Sequence, residues 1–325
     1  MSLKKRVKEK LRFLKNTPVG RYAHSEYWRH RGKREAKKYD DYTFIKRMYK
    51  QELGVDIDLK DPKRMTEKLQ WLKLFWRNDE LRPCSDKYDV RQYITDHGYG
   101  DMLNEVIGIY DSVDEIDFNS LPDKFVLKAT HGSSMNFICK NKSKENLYWW
   151  KKTIKSWLGR NLYWYGREWN YSGIKPRIII EKYLEDSSGG LADYKISCFG
   201  GRPLNMQVDI GRYGDHSRCF VSPDGNILPF DKGHIRNRIE QFEFTEAHKK
   251  MFEVAKELSK PFPYVRVDFY YCGNKIYIGE LTFFDFSGFS PYYPDEYDFI
   301  YGKELVLPEP NYNLDLYQEI KEGNK

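Results

Sequence analysis

An α+β fold is predicted by two recurring patterns in the sequence. Short runs rich in Val, Ile, Tyr and Phe come in pairs separated by turn residues, which is typical of antiparallel β-hairpins. Amphipathic stretches with helical spacing lie between such pairs, for example at residues 246–258. At 325 residues the chain is long enough for two or three lobes. Strand pairs with interposed helices therefore indicate an α+β architecture.

The positive charge of the chain is concentrated at its beginning. Residues 1–50 contain 17 Lys or Arg and 5 Asp or Glu, whereas the net charge of the whole chain is +7. Residues 3–16 fit a helix with Leu3, Val7, Leu11 and Leu14 on one stripe and basic side chains around it. Such a helix can pack on the body of the protein or lie on an anionic membrane. Nucleic acid is not the expected partner, because no nucleic-acid motif accompanies the basic residues.

A cytoplasmic location is expected from what the sequence does not contain. There is no run of 18 apolar residues and no apolar stretch of the secretory type near residue 1. The five Cys residues are scattered and include no C-x-x-C pair, which favours a reduced chain. The expected location is therefore cytoplasmic, with peripheral contact to the inner face of a membrane through residues 1–16.

Four regions are predicted along the chain. A basic helical extension occupies residues 1–40. Helical patterns at 41–75 and 86–94, followed by a strand at 106–110, predict a small N-terminal α/β lobe over residues 41–115. A first main lobe is predicted at 116–185 and a second at 186–325, the latter containing most of the hairpin patterns.

Lys128 and the loop that follows it suggest an anion site. Lys128 ends the apolar strand pattern Phe-Val-Leu-Lys, where an ammonium group needs an anionic partner. The next residues, His-Gly-Ser-Ser at 131–134, can present backbone N–H groups and hydroxyls to phosphate. This loop is not a Walker A motif, and an ordinary hairpin turn is the alternative interpretation.

The stretch from Arg266 to Thr282 predicts a hairpin with a polar face. Its arms carry Arg266 and Asp268, then Glu280 and Thr282, at a spacing of two. A three-residue loop at 273–275 would place Asp268 opposite Glu280, whereas a two-residue loop would turn Glu280 to the other face. Two facing carboxylates between apolar arms need a cation, and together with phosphate oxygens they suit Mg²⁺. A solvated surface hairpin is the alternative.

These motifs together resemble a known superfamily. They are Lys128 with its small-residue loop, Ile-Ile-Ile-Glu181, Asp193-Tyr-Lys195, Arg266-Val-Asp268 and Gly-Glu280-Leu-Thr282. Their order resembles the ATP-grasp superfamily and most closely the TupA-like ATP-grasp proteins of polysaccharide gene clusters. The similarity runs from about residue 62 to about residue 294.

The resemblance implies an ATP-grasp fold, in which two α+β lobes enclose ATP. It implies phosphate contacts from Lys128 and from His131, Gly132, Ser133, Ser134 and Asn136, with a structural role as the alternative for His131. The backbone of Glu181, Lys182, Tyr183 and Leu184 would meet adenine, Asp193 would face the ribose, and Lys195 or Arg218 would contact phosphate. Asp268 and Glu280 would hold Mg²⁺ with Thr282, although much of the superfamily has Asn at the last position, which leaves one or two metal ions open. Arg266, Ser287 and Gly288 would contact the acyl-phosphate and the acceptor.

The function that the resemblance implies is that of an ATP-dependent carboxylate–amine ligase. Such an enzyme forms an amide through an acyl-phosphate, here between an amino acid or amine and a uronic acid of a bacterial surface polysaccharide or capsule. A kinase-like phosphotransferase on the same fold and a glycosyltransferase of polysaccharide biosynthesis are the alternatives. A glycosyltransferase often has a D-x-D motif, but Asp56-Ile-Asp58 lies in a polar stretch and is interpreted as surface.

Overall fold

The computed structural model describes residues 17–185, 191–211, 215–233 and 237–325. The predicted helix at residues 3–16, with its membrane contact, lies outside these ranges. In the described ranges the helices are α1 (Pro18–Lys38), α2 (Asp41–Leu53), α3 (Met65–Phe75), α4 (Leu81–Ser85), α5 (Val90–Asp96), α6 (Leu147–Leu158), α7 (Tyr163–Gly166), α8 (Glu246–Ser259), α9 (Glu296–Glu304) and α10 (Leu314–Glu322).

The strands of the described ranges form two main sheets and one small one. They are β1 (Val106–Tyr110), β2 (Phe125–Ala129), β3 (Asn136–Cys139), β4 (Ile178–Lys182), β5 (Asp193–Phe199), β6 (Arg202–Ile210), β7 (Ser217–Val221), β8 (Ile227–Leu228), β9 (Asp231–Lys232), β10 (Asn237–Arg238), β11 (Tyr264–Cys272), β12 (Lys275–Thr282) and β13 (Tyr292–Tyr293). The first sheet has the order β1-β4-β2-β3 and the second β10-β7-β6-β5-β11-β12, with β8 beside β7, while β13 pairs with β9. Except for the parallel pair β10–β7, the pairs are antiparallel, which agrees with the predicted α+β class.

Helix boundaries follow local capping chemistry. The Asp40 carboxylate accepts a 2.8 Å hydrogen bond from the Thr43 N–H at the start of α2. The helix ends at Gly54, which has φ of 77° and donates its N–H to the Lys50 carbonyl. A side chain at that φ would be strained, so the glycine ends α2 without steric cost.

The first sheet and α6 enclose one hydrophobic core. Phe125, Leu127, Ile178 and Ile180 project from one face of the sheet toward Trp150 of α6. The same strands place Lys128 and Glu181 on the opposite face, because residues two apart on a strand share a face. The core therefore fixes which face of this sheet is polar.

The second sheet packs against α8 and also against helices from earlier in the chain. Val265 and Val267 share a buried cluster with Leu258 of α8, and the cluster extends to Leu69 of α3. Residues 41–115, predicted as a small α/β lobe, are thus divided between the two sheets: their helices join this cluster, whereas β1 pairs with β4. The sequence pattern shows where an element is amphipathic but not which sheet it will cover.

None of the helices in the described ranges combines the length and the apolar character needed to cross a membrane.

Candidate active site

The β11–β12 hairpin has the predicted pairing but reaches it differently. Asp268 lies opposite Glu280, as expected. The turn, however, has two residues, Gly273 and Asn274, with φ of 56° and 59°, rather than the predicted three. The shift of one position that this turn would cause is cancelled by a bulge, in which Gly279 is the extra residue. A Cβ on Gly279 would lie 2.8 Å from the Tyr270 ring, so a side chain at the bulge would have to displace that ring.

Arg266 is the centre of a buried ion-pair network on this hairpin. Its Nε and Nη2 donate to the two carboxylate oxygens of Asp268 at 2.6 and 2.7 Å, and its Nη1 contacts Asp285. Nη2 also lies 3.3 Å from the Thr282 hydroxyl and 3.8 Å from Glu280. Burial raises the pKa of Asp268 to about 6, although the positive charge of Arg266 opposes this rise. The four predicted polar groups are therefore gathered at one place.

Lys87 joins this hairpin to the first sheet. Its Nζ lies 3.2 Å from the Glu280 carboxylate and donates to the Gly132 carbonyl at 2.7 Å. Burial would raise the pKa of Glu280, but the charges of Lys87 and Arg266 outweigh it and the net pKa is lowered. The charge of Lys128 adds to this lowering. Groups from both sheets therefore meet at Glu280, and Lys87 is a site residue that the sequence analysis did not identify.

Lys128 and Glu181 form an ion pair on the polar face of the first sheet. The Lys128 Nζ is 2.6 Å from a Glu181 carboxylate oxygen, and Arg91 lies 3.8 Å from the other oxygen. Lys128 thus has the anionic partner that was expected for an ammonium group at the end of an apolar strand. Its pairing with Glu181 brings together the residue predicted to contact phosphate and the residue predicted to contact adenine.

The loop after Lys128 separates into a buried and an open part. Ser133 and Ser134 are exposed at the tip, and Asn136 is exposed opposite Lys128 in β3. His131 differs from the prediction, because its side chain is buried and its Nε2 lies 3.1 Å from the Trp157 carbonyl. Burial lowers the pKa of His131, which favours a neutral imidazole. The side chain therefore packs toward α6 and is not placed for a phosphate contact.

The segment predicted to meet adenine continues the central strand β4. The Lys182 N–H donates to the Glu105 carbonyl at 3.0 Å, and the Lys182 carbonyl accepts from Asn104 at 2.8 Å. Its side chain is exposed and lies 3.2 Å from the Glu105 carboxylate. Tyr183 and Leu184, which follow the strand, are half-buried. The Lys182 backbone is thus already paired, whereas the roles of Tyr183 and Leu184 stay predictions.

The polar face of the second sheet extends across five strands. Lys195 on β5 is directly opposite Asp268 on one side and Gln207 of β6 on the other. Two positions along, Asp193 is opposite Asp209, which in turn is opposite Arg218 of β7. Side chains directly opposite each other share a face. The predicted residues Asp193, Lys195 and Arg218 therefore lie on the same surface as the hairpin carboxylates.

Asp209 balances the cations of that surface. Its carboxylate accepts from the Arg218 Nε at 2.7 Å and from the Gln207 amide at 2.6 Å, and the Lys195 Nζ lies 3.4 Å away. Burial would raise the pKa of Asp209, but the charges of Lys195 and Arg218 hold it well below its ordinary value. The sequence analysis missed Gln207 and Asp209, although their spacing of two within β6 was a usable signal.

The segment Asp285–Gly288 is held by polar side chains beneath it. Its carbonyls at Ser287 and Gly288 accept hydrogen bonds from the Gln70 amide at 3.0 and 2.9 Å, and the Ser287 hydroxyl donates to Glu168. Phe286 and Ser287 both have positive φ, 48° and 54°, which is costly for residues other than glycine. Ser287 and Gly288, which were predicted to contact the acceptor, are thus in a strained segment that several hydrogen bonds hold in place.

Lys73 of α3 also supports this segment from the protein interior. Only 1% of it is exposed, and its Nζ donates to Ser287 O at 2.6 Å, Gly166 O at 2.7 Å and Gln70 Oε1 at 2.9 Å. Burial lowers the pKa of Lys73 to about 7, although the carboxylates of Glu168 and Asp41 oppose this. All three ammonium donors are therefore used inside the protein.

Replacing Lys73 by Met should lower the free energy of unfolding by about 2–4 kcal/mol, because the buried carbonyls of Gly166 and Ser287 would lose a donor. Denaturant unfolding measures this loss. Lys68→Met on the same helix is the matched control: Lys68 also donates to a carbonyl, that of Leu305 at 2.7 Å, but it is only half-buried. Equal losses in the two variants would contradict a special role for Lys73.

The Asp56-Ile-Asp58 stretch is part of a surface turn, as the sequence suggested. Asp58 accepts hydrogen bonds from the N–H groups of Lys60 and Asp61, both at 2.9 Å. Asp56 is exposed and pairs with Lys50 at 2.8 Å. Both carboxylates are accounted for by local contacts on the surface.

The chain is similar to one protein family and to several solved structures. The sequence model of the family described as TupA-like ATPgrasp matches residues 67–306. No curated protein matches the chain. Among solved structures, D-alanine–D-alanine ligase from Bacillus anthracis is 17% identical, with a TM-score of 0.37, over 61% of this chain and 56% of that one.

Two further solved structures are similar to the chain at the same level. D-alanine–D-alanine ligase from Helicobacter pylori is 15% identical over 74% of this chain and 69% of that one, with a TM-score of 0.40. Phosphoribosylamine–glycine ligase from Thermotoga maritima is 14% identical over 62% and 48%, with a TM-score of 0.37. The chain spans little more than half the length of the first of these relatives. The family model, in contrast, covers most of the chain from α3 to α9, including both sheets. The chain therefore belongs to the TupA-like ATP-grasp family and has the α+β fold of that superfamily.

Proposed function

We propose that the protein is an ATP-dependent carboxylate–amine ligase that forms an amide through an acyl-phosphate. The observation that carries this proposal is the meeting of two polar sheet faces at Lys87, whose ammonium contacts both the loop after Lys128 and the hairpin residue Glu280. Lys128 of the first sheet and the carboxylates of the second would then lie on opposite sides of one site. Such a site suits a triphosphate with a divalent cation.

The carboxylates fit a magnesium ion that is shared with a nucleotide. Asp268 and Glu280 face each other, and the Thr282 hydroxyl lies near the same guanidinium group. In the described ranges no group of three or more His, Cys, Asp and Glu side chains is suited to a metal. Mg²⁺ commonly takes one or two carboxylates and completes its shell with phosphate oxygens and water. When bound, it would neutralise charge on the phosphates of ATP.

The remaining site residues position the substrates and stabilise charge. Lys128 and Lys87 would bind phosphate oxygens after leaving Glu181 and Glu280, and Arg266 would face the acyl-phosphate. A substrate carboxylate oxygen attacks the γ-phosphorus and ADP leaves. A neutral amine then attacks the acyl carbon, phosphate leaves, and the nitrogen loses one proton to solvent. Both steps depend mainly on positioning and charge neutralisation, which these cations supply.

The proposed substrates are a uronic acid of a bacterial surface polysaccharide and an amino acid or another amine. The support for this class is the resemblance to the TupA-like proteins of polysaccharide gene clusters. The site residues by themselves fit any carboxylate that can reach the γ-phosphate beside Arg266.

The test is incubation of the protein with Mg²⁺, ATP, glucuronic or galacturonic acid and pooled amino acids. We expect ADP, phosphate and a product whose mass equals that of the acid and the amine less one water. A phosphorylated sugar without an amide would favour the kinase-like alternative. The absence of ADP with every acid, from protein that still binds ATP, would contradict the ligase proposal for this substrate class.

A further inference from the structure

The neighbouring helices α1 and α6 together form part of the outer surface of the protein. The Trp150 ring of α6 stacks on Phe137 of β3 with 4.3 Å between ring centroids, and the Arg21 guanidinium of α1 lies 5.8 Å from that same ring. The helices also contact each other, since the hydroxyls of Ser25 and Ser156 are 2.8 Å apart. Because α6 packs on the Phe137 face of the sheet and α1 packs beside α6, the sides of both helices that point away from these contacts face solvent.

Large apolar and aromatic side chains stand exposed on that outer surface. Val19 and Tyr27 of α1 are 50% and 57% exposed, and Tyr148 of α6 is 61% exposed. The Tyr148 ring lies against Trp149, with 5.1 Å between centroids, and Trp149 is 5.7 Å from Tyr22. Tyrosine and tryptophan are enriched where a protein meets the boundary between lipid and water, because each has an apolar ring and a polar tip.

The same surface is strongly basic. The two helices together carry ten Lys and Arg residues and two Glu residues. Both Glu residues are neutralised locally, Glu26 by Arg29 and Glu35 by Arg47. One acidic group from outside the helices approaches, since Asp114 lies 3.8 Å from Lys155. The exposed cations of the two helices are Arg21, Lys33, Arg34, Lys37, Lys38, Lys151, Lys152 and Lys155.

We propose that this outer surface, the α1–α6 face (Val19, Tyr27, Arg34, Tyr148, Lys151 and Lys152), binds the anionic surface of a lipid bilayer. Each Lys or Arg near such a surface contributes about 1 kcal/mol, and exposed aromatic rings add contact with the interface. The face is built on two convex helices, whereas single-stranded nucleic acid is usually bound in a charged groove with stacking platforms.

The adjoining sequence and the position of the active site agree with this assignment. Residues 1–16, which precede α1, contain seven Lys or Arg and one Glu. Membrane contact by the α1–α6 face would leave the proposed site open, because Asp268 and Glu280 belong to the other sheet and Lys128 lies on the face of the first sheet opposite the core that α6 covers. Binding to the bilayer is therefore separable from the proposed ligase activity and does not depend on it.

The experiment is flotation of the full chain with vesicles of phosphatidylcholine, with and without phosphatidylglycerol. We expect binding only to the vesicles with phosphatidylglycerol, and release as salt shortens the Debye length from about 10 Å at 0.1 M toward about 3 Å at 1 M. The triple variant Arg34→Glu, Lys151→Glu, Lys152→Glu should lower the vesicle partition coefficient about tenfold or more. The double variant Tyr27→Ser, Tyr148→Ser should lower it severalfold.

A matched control carries the same change of net charge elsewhere. Lys249→Glu, Lys250→Glu and Lys256→Glu alter exposed residues of α8, which covers the second sheet, and should change the partition coefficient less than about twofold. Vesicle binding by the α1–α6 triple variant equal to that of the parent chain would overturn the proposal, and so would an equal loss in the α8 variant. Displacement of the protein by single-stranded DNA, with no effect of the tyrosine changes, would indicate a nucleic-acid surface and also overturn it.

Discussion

Glu280→Gln is expected to lower Mg²⁺-dependent ATP turnover by more than about a hundredfold while the protein stays folded. Glutamine keeps the shape of the side chain and one carbonyl oxygen but removes the charge that a metal ion needs. Asp268, directly opposite, would keep its bidentate pair with Arg266, so the hairpin itself should form. Turnover is measured as ADP released, with circular dichroism as the check on folding.

Ligand-induced stabilisation gives a second measure of the same change. Mg²⁺-ATP at about 100 times its Kd should stabilise the parent protein by about 2.7 kcal/mol, because a ligand stabilises the state that it binds. The shift should be much smaller in Glu280→Gln. Glu105→Gln is the control, since Glu105 is an exposed carboxylate paired with Lys182 at 3.2 Å. Equal thermal shifts in the parent protein and in Glu280→Gln would remove Glu280 from the metal site.

Without ligand, Glu280→Gln is expected to lower the stability of the protein slightly, although the sequence alone suggests a slight increase. The sequence shows only two facing carboxylates, and removing one charge would relieve their repulsion. The structure adds Lys87 at 3.2 Å and Arg266 at 3.8 Å from Glu280, and their charges lower its pKa. Because the Glu280 side chain is about one third exposed, we now expect a loss of no more than about 1 kcal/mol.

The fold class and the facing pair of Asp268 and Glu280 could be predicted because both depend on local alternation. Residues two apart on a strand share a face, so the polar spacing within each arm indicated which side chains gather. The turn was predicted with one residue too many because the bulge at Gly279 restores the pairing from within the strand. The sequence contains a glycine there, but it does not show that a Cβ would collide with Tyr270.

Lys87 and Lys73, two of the residues that the sequence did not identify, have roles that depend on distant partners. Lys87 reaches the site by contacting Gly132 and Glu280, which lie far along the chain from it. Lys73 has the spacing of a polar helix position, yet it is buried because α3 is covered by Gly166 and Ser287. Neither burial nor partner can be inferred from a single helical pattern, since both are set by how separate elements pack.

Lys128→Ala is expected to lower ATP turnover about a hundredfold to a thousandfold, the range found when one group that stabilises developing charge is removed. Lys128 is placed on the polar face of the first sheet by the pairing of β2 with β4, and Glu181 holds its ammonium at 2.6 Å. A triphosphate would compete with Glu181 for that ammonium group. Alanine fits β2 without steric conflict, because the opposite face of the strand forms the core.

The loss of turnover in Lys128→Ala must be separated from damage to the sheet. Lys124→Ala is the matched control: Lys124 lies next to β2 and pairs with Glu185 at 2.7 Å, but it is exposed at the surface. It should keep the turnover of the parent protein. The melting temperature of Lys128→Ala should stay close to that of the parent protein, because Glu181 retains Arg91 as a cationic neighbour at 3.8 Å. Parent-like turnover in Lys128→Ala would exclude this ammonium group from the phosphate site, and with it the role assigned to the polar face of the first sheet.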